Sequence, residues 1–286
     1  MAAPSLADYT YQYTDTGPVM GGGLVFDVQK VEGLGLPDVR VTQQDRDGAD
    51  GEFVFAGFTR SRSVALSGYL KLPNATTAPE TYIDQYLATF KARKTAEPFY
   101  YKMPGSDQRV IYCVPTAAPL DIDEQFNTGY IPFLVQLIAE DPRKYSSAVA
   151  SFGPVGLPNT SGGRSYAKAY PKAYGTISTG GDAAVVNNGN KETFPILIIN
   201  GAVSNPIVTN ETTDIVMQFN INLATGDQLV VDCGAKSVTL NGSDRADILV
   251  GQEFIELSAG SNALRFTALS FSSSGTLQGT YRHAWV

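Results

Sequence analysis

Histidine sets the first limit on chemistry, because 286 residues contain a single one, His283. A Ser-His-Asp triad or a multi-histidine metal centre would have to use it or work without histidine. It lies in Gly279-Thr-Tyr-Arg-His-Ala-Trp-Val286. There Thr280, Arg282 and Ala284 alternate with Tyr281, His283 and Trp285, which predicts a terminal strand with one aromatic side. The reading is packing or an interface. Carboxylates offer the next chemistry. Asp45, Asp47 and Asp50 cluster in Asp45-Arg-Asp-Gly-Ala-Asp-Gly51, but the calcium-loop pattern fails. Position five is Ala49, position six is Asp50 where glycine is needed, and position twelve is Ala56 instead of Glu. A tight acidic turn between strands is expected instead. Asp121, Asp123 and Glu124 form a second cluster. Paired carboxylates can hydrolyse glycosides, yet among 28 acidic residues many such pairs arise by number alone and none stands out. Gly21-Gly-Gly23 lacks the Gly-Lys-Ser/Thr of a phosphate loop, and Cys-x-x-Cys, His-Glu-x-x-His and Gly-x-Ser-x-Gly are all missing. The expectation is a chain with no catalytic residue, no cofactor and no metal, and not an enzyme.

The composition, 43% hydrophobic and 17% charged, allows a real core. With 28 Gly and 16 Pro it favours turns and strands over helices. The net charge of −7 gives no source of attraction to a phosphate backbone. The local exception, Lys91-Ala-Arg-Lys94, falls at the end of a predicted helix and complements its dipole. Cys113 and Cys233 sit beside apolar strand residues and read as buried thiols. No run of about eighteen apolar residues exists to cross a bilayer, and Met1 to Asp8 lacks a basic leader and apolar core, so no signal peptide or membrane insertion is expected. Asn74, Asn159, Asn210 and Asn241 open glycosylation triplets that read more simply as turns.

The elements that must position these residues are mostly strands. Gly21–Lys30, Leu36–Gln44, Glu52–Phe55 and Ser63–Leu72 continue a β pattern, with a bulge or close backbone contact at Gly68. Thr77-Ala-Pro-Glu80 matches a capping box. Tyr82, Ile83, Tyr86, Leu87 and Phe90 then recur at helical spacing, which predicts one helix over about 78–93. Glu97–Lys102 and Gln108–Val114 read as a hairpin. Tyr130–Ala139 is apolar on both faces and predicts a central or interface strand. A turn-rich stretch between about 145 and 165 divides the chain into domains of 1–150 and 151–286. Ten short runs between Lys172 and His283 fit a two-sheet sandwich. The fold class expected is all-β with one helix: an N-terminal β-barrel or sandwich-like domain and a C-terminal galectin-like, jelly-roll-like sandwich.

Taken together these features resemble the distal tail protein family of long, non-contractile-tailed bacteriophages. The resemblance lies in the Asp45–Gly51 turn, Arg60-Ser-Arg-Ser-Val-Ala-Leu-Ser-Gly68, the helix that follows, and Ile138-Ala-Glu-Asp-Pro-Arg-Lys-Tyr145. It continues in Asn188-Gly189, Phe194-Pro-Ile-Leu-Ile-Ile-Asn-Gly201, Asn205-Pro-Ile-Val208, Leu240-Asn-Gly242 and Ala259-Gly-Ser-Asn-Ala-Leu-Arg-Phe266. The resemblance implies a virion protein at the distal end of the tail, assembled in the host cytoplasm. Its N-terminal domain would form a homo-hexameric ring, and its C-terminal sandwich would project outward. The ring would join the tail tube protein to the tail-tip or baseplate hub protein and let DNA pass through its lumen without specific binding. Closing such a ring covers strand edges and apolar patches without producing an endless filament. Apolar density places the ring contacts at Phe99, Tyr100, Tyr101, Tyr112, Tyr130, Phe133, Leu134, Val135, Leu137 and Ile138. Some relatives carry inserted carbohydrate-binding modules. The alternative readings are a glycan-binding baseplate protein stacking sugars on Tyr166, Tyr170, Tyr174 or Trp285, a tail tube subunit, and a carbohydrate hydrolase.

Overall fold

A computed structural model describes residues 3–72, 79–122, 128–158, 180–270 and 274–286. The chain divides into two compact units, Met1–Ala148 with Val286, and Val149–Trp285. Each is described by itself.

The N-terminal unit holds β1 (Thr10–Tyr13), β2 (Val19–Gly21), β3 (Phe26–Glu32), β4 (Val39–Asp45), β5 (Glu52–Thr59) and β6 (Arg62–Lys71). These are followed by α1 (Pro79–Phe90), β7 (Glu97–Lys102), β8 (Arg109–Ala117), β9 (Tyr130–Ala139) and β10 (Lys144–Ser146). Seven strands pair in the order β2-β1-β7-β8-β9-β6-β3, with β10 also on β8. Hydrogen bonds among the described residues close no barrel from this path. In β9, Ile131, Phe133, Val135, Leu137 and Ala139 are buried. The residues between them are exposed or half-buried, as period two requires of a strand with one covered face. β9 lies centrally, between β6 and β8.

The helix covers the buried face. It is shorter than the expected span of about 78–93, running from Pro79 to Phe90. Pro79 suits a first turn, where its missing N–H is no loss, and Glu80 is an acid near the positive end of the dipole. Thr77 of the expected capping box lies outside the described residues. Tyr86 and Phe90 enter the core, with ring centroids 5.1 Å apart, 5.6 Å from Tyr86 to Phe133 and 5.5 Å from Phe90 to Tyr13. Leu87, expected on the apolar stripe, is exposed. It stands one residue, about 100°, round from Tyr86, beyond the width of sheet that the helix covers. Lys91, Arg93 and Lys94 follow the last turn instead of belonging to it. Arg93 turns back to pair with Glu97 at 3.2 Å and sits 5.9 Å over the Tyr13 ring.

The C-terminal unit is a two-sheet sandwich. Its first half contains β11 (Ala150–Gly156), β12 (Asp182–Asn187), β13 (Ile196–Asn200), β14 (Val203–Asn210), β15 (Ile215–Phe219) and β16 (Asn222–Leu223). The second contains β17 (Gln228–Asp232), β18 (Ser237–Leu240), β19 (Ser243–Asp244), β20 (Leu249–Val250), β21 (Gly260–Ser270) and β22 (Thr276–Tyr281). One sheet runs β11-β22-β13-β17-β18-β19 and the other β12-β21-β14-β15-β20, with β16 on β14. Leu197, Ile199, Leu229, Val231 and Leu277 from the first meet Val185, Val208, Phe219, Leu264 and Phe266 from the second in one core. The expected strand Lys172–Ser178 falls outside the described residues.

Three fully buried asparagines fix the loops of this sandwich. Asn187 Nδ2 donates to the carbonyls of Lys191 and Leu257, while its Oδ1 accepts from the amides of Gly189 and Ala284. Asn262 Nδ2 donates to the carbonyls of Ser258 and Gly260, and its Oδ1 accepts from Ser258 N. Asn210 Nδ2 donates to Glu256 O at 2.7 Å and its Oδ1 accepts from Thr212 N. Buried amides are tolerable only when paired, and these are paired largely with main chain at strand ends and in the loops between strands. Asn262→Ala should therefore destabilise this unit by about 1–3 kcal/mol, because Ser258 N loses its acceptor. Urea unfolding followed by the fluorescence of Trp285, the single tryptophan, measures it. A change within experimental error would remove the asparagine from the account.

Candidate assembly surface

β4 and β5 form a sheet of their own, paired only with each other. The sequence pattern suggested strands that continue the domain's β structure; instead they leave it as an arm. Every side chain of β4 is exposed. The pairing sets Arg40 opposite Phe58, Thr42 opposite Phe55 and Gln44 opposite Phe53. Between Arg40 and Thr42 the register shifts by one residue, so β5 carries a bulge at Ala56–Gly57. That extra residue decides the surface. Without it Phe58 would fall on the opposite face from Phe53 and Phe55; with it all three phenylalanines share one side. They are 51%, 51% and 71% exposed. Val39, Val41 and Val54 are exposed on the other side, and Arg46 lies 5.0 Å over the Phe53 ring. Gly57 permits the bulge: a Cβ there would stand 2.4 Å from Val39 Cγ1.

An isolated hairpin is marginal in water. One with apolar residues on both faces and two unpaired edges is a surface in need of a partner. Its tip holds Asp45, Asp47 and Asp50, and no group of three or more metal-ligating side chains is gathered anywhere among the described residues.

The ten side chains expected at the ring contact divide by face. Phe99, Tyr101, Phe133, Val135 and Leu137 are buried in the core under α1. Tyr100 is buried on the other side of the sheet, with Leu6 and Val110, and donates to Asp15 Oδ1 at 2.7 Å. These six side chains are buried within their own unit. Tyr112, Tyr130, Leu134 and Ile138 point outward at 36–43% exposure. Tyr130 meets Tyr69 edge-on at 6.1 Å. Strand alternation made this division. Apolar density alone could not, because it does not tell which face is covered. Phe53, Phe55 and Phe58 escaped the sequence reading, although Phe53-Val-Phe55 is apolar on both faces and could have signalled an uncovered strand pair.

Burial pushes the Cys113 and Cys233 thiols up to about 12 and raises the Tyr13, Tyr86 and Tyr145 phenols. These shifts move nucleophiles away from activation. His283 stacks edge-on with Tyr281 and Trp285 at 5.6 and 6.2 Å and accepts Asn188 N through Nδ1 at 3.2 Å. The expected continuous terminal strand is broken, since β22 ends at Tyr281 and Ala284–Trp285 is a separate short strand, but the three rings still form a packed row. Tyr166, Tyr170, Tyr174, Asp123 and Glu124 lie outside the described residues.

Residues 188–285 match the family model described as siphovirus-type tail component, C-terminal domain. Among solved structures, the fold matches the Dit protein of phage SPP1, described as a paradigm of the hub adsorption apparatus in phages infecting Gram-positive bacteria. The TM-score is 0.69 at 14% identity, over 97% of this chain and 99% of that one. Two structures of the phage p2 baseplate in its activated conformation, with strontium and with calcium, each match with TM-score 0.50 at 10% identity, over 95% of this chain and 97% of theirs. No curated protein matches the chain. The fold is a two-unit, mostly β structure with one helix. The resemblance to distal tail proteins is supported at two levels: residues 188–285 match the siphovirus-type tail component model, and the whole chain shares the fold of SPP1 Dit.

Among the described strands the hairpin pairs with no other, and Phe55 and Phe58 are exposed, so Phe55→Ser with Phe58→Ser should leave the unfolding free energy of the dilute protein unchanged. Phe133→Ala in the core should cost about 3–5 kcal/mol. Chemical denaturation compares the two, and equal losses would show that the arm contributes to the monomer's own core.

Proposed function

We propose that this protein is a structural hub at the distal end of a siphophage tail. Its N-terminal units close into a hexameric ring between the tail tube protein and the tail-tip or baseplate hub protein. DNA passes through the ring during delivery. The observation that carries the reading is the free hairpin with Phe53, Phe55 and Phe58 on one side. A surface of this kind is matched by a neighbouring copy, and a heterologous contact repeated by rotation closes a ring. The outward residues Tyr112, Tyr130, Leu134 and Ile138 of the same unit supply a second apolar patch for that contact. The net charge of −7 suits a channel that must release DNA, because a basic lumen would hold the phosphates through counterion release. The tail-component match of residues 188–285 supports the location, and the likeness to tail-hub and baseplate structures supports the fold on which it depends.

Native mass spectrometry with negative-stain imaging tests this. The expected result is a six-membered annulus. Phe55→Ser with Phe58→Ser should raise the concentration needed for assembly at least about tenfold, equivalent to ~1.4 kcal/mol. Leu134→Asp with Ile138→Asp should act in the same direction. A strict monomer at high micromolar concentration, or stacked tubes in place of single rings, would overturn the reading.

A further inference from the structure

The arm leaves the domain through residues 33–38 and returns through Arg60. Its root is closed in an unusual way. Arg62, only 1% exposed, donates from Nη1 to Gly33 O at 2.7 Å and to Gly35 O at 2.6 Å, and from Nε to Pro142 O at 2.8 Å. Lys144, 7% exposed, donates from Nζ to Leu34 O, the carbonyl between them, at 2.9 Å. Three consecutive carbonyls at the arm's root are thus capped by two buried cations from β6 and β10. Gly33 closes the arrangement from the other side. Its φ is +85°, and a Cβ there would stand 1.8 Å from Ser63 O, so no other residue lets the root lie against β6. One further bond, Arg60 N to Asp38 O at 2.8 Å, links the two legs of the arm.

Burying two like charges side by side is costly. Burial, with Arg62 and Arg109 nearby, holds the Lys144 ammonium down to about 8, and Arg62 Nη2 is buried without a partner. Aliphatic side chains would fill the same space at lower cost. What only donors can do here is grip main chain that has no ladder. We propose that Arg62 and Lys144 form a cationic clamp on the Gly33, Leu34 and Gly35 carbonyls, and that this clamp fixes the direction in which the hairpin arm meets the next copy. The second half rests on the ring reading. Leverage makes direction matter: a strand of eight residues reaches ~26 Å, so a root rotation of about 10° displaces the tip by ~4–5 Å. That error separates the three phenylalanines from any fixed site.

The test uses the full chain with spin labels at Asp50→Cys and Lys91→Cys, both exposed. The native Cys113 and Cys233 are buried and stay unlabelled. Labelled protein is diluted with unlabelled protein so that only distances within one chain are read. The wild-type background should give a narrow arm-to-body distance distribution. Lys144→Met should at least double its width while the thermal midpoint of the core is kept, and should raise the assembly concentration about tenfold. Arg62→Lys, which keeps the charge but cannot reach both glycine carbonyls, should act likewise. Unchanged widths in the folded variants would overturn the clamp; if Arg62→Lys does not fold, Lys144→Met alone decides. Broad widths with unchanged ring assembly would overturn the link between clamp and assembly. A wild-type chain that forms no ring would overturn the ring reading, while the widths still judge the clamp.

Discussion

A strand presents two faces and two edges, and a stable protein must answer all four. Most of this molecule does so within one unit. In the N-terminal sheet one face is covered by α1 through Tyr86 and Phe90, and neighbouring strands satisfy the inner edges. In the C-terminal unit two sheets cover each other, and the alternation of buried Leu197 and Ile199 with less buried neighbours records it. The β4–β5 arm breaks the rule on all counts. Among the described residues no strand pairs with its outer edges and both faces are exposed, while its side chains are those of a covered pair. The bulge at Ala56–Gly57 concentrates this mismatch onto one side. An arrangement that wastes stability in the single chain is coherent when a second chain supplies the missing cover.

The polar interior follows a related rule. Asn187, Asn210 and Asn262 in one unit, and Arg62 and Lys144 in the other, all direct their hydrogen bonds chiefly to main chain that lies outside any ladder. Such groups supply geometry. They hold loops and the arm's root in one conformation at the cost of desolvating the donor. Buried polar groups that converge on open space would read differently, as a site awaiting a substrate. Here they converge on carbonyls.

Local structure was largely legible in the sequence, and non-local structure was not. The apolar residues on both faces of Tyr130–Ala139 announced a central strand, and the 3.6-residue recurrence of Tyr82, Tyr86 and Phe90 announced the helix, because both signals lie within a few turns or residues. The helix end was misplaced since Lys91 to Lys94 looked like a basic last turn, whereas Arg93 is drawn off by Glu97 and the Tyr13 ring. Isolation of the β4–β5 hairpin could not be read, because strand pairing with the rest of the sheet is decided by residues far away in sequence. The division of the expected contact residues into buried and outward sets was equally hard to read. Phe133, Val135 and Leu137 are as apolar as Leu134 and Ile138, and only the position of α1 sorts inward from outward. Gly57 carried a readable hint, since a glycine inside a strand often marks a bulge.

The buried thiols and phenols and the exposed arm can be weighed together. A catalytic centre needs a nucleophile or base whose pKa is tuned toward the working pH. In this molecule burial drives both thiols and three phenols in the opposite direction, and the single imidazole is committed to an aromatic row and a backbone amide. The surface with unmet demand is instead apolar and extended. It lies on a lever whose root is gripped by two cations. Substrate turnover requires a cavity that closes around a small molecule and opens again. An extended apolar hairpin with free edges suits the reverse demand, a contact made once during assembly and then kept.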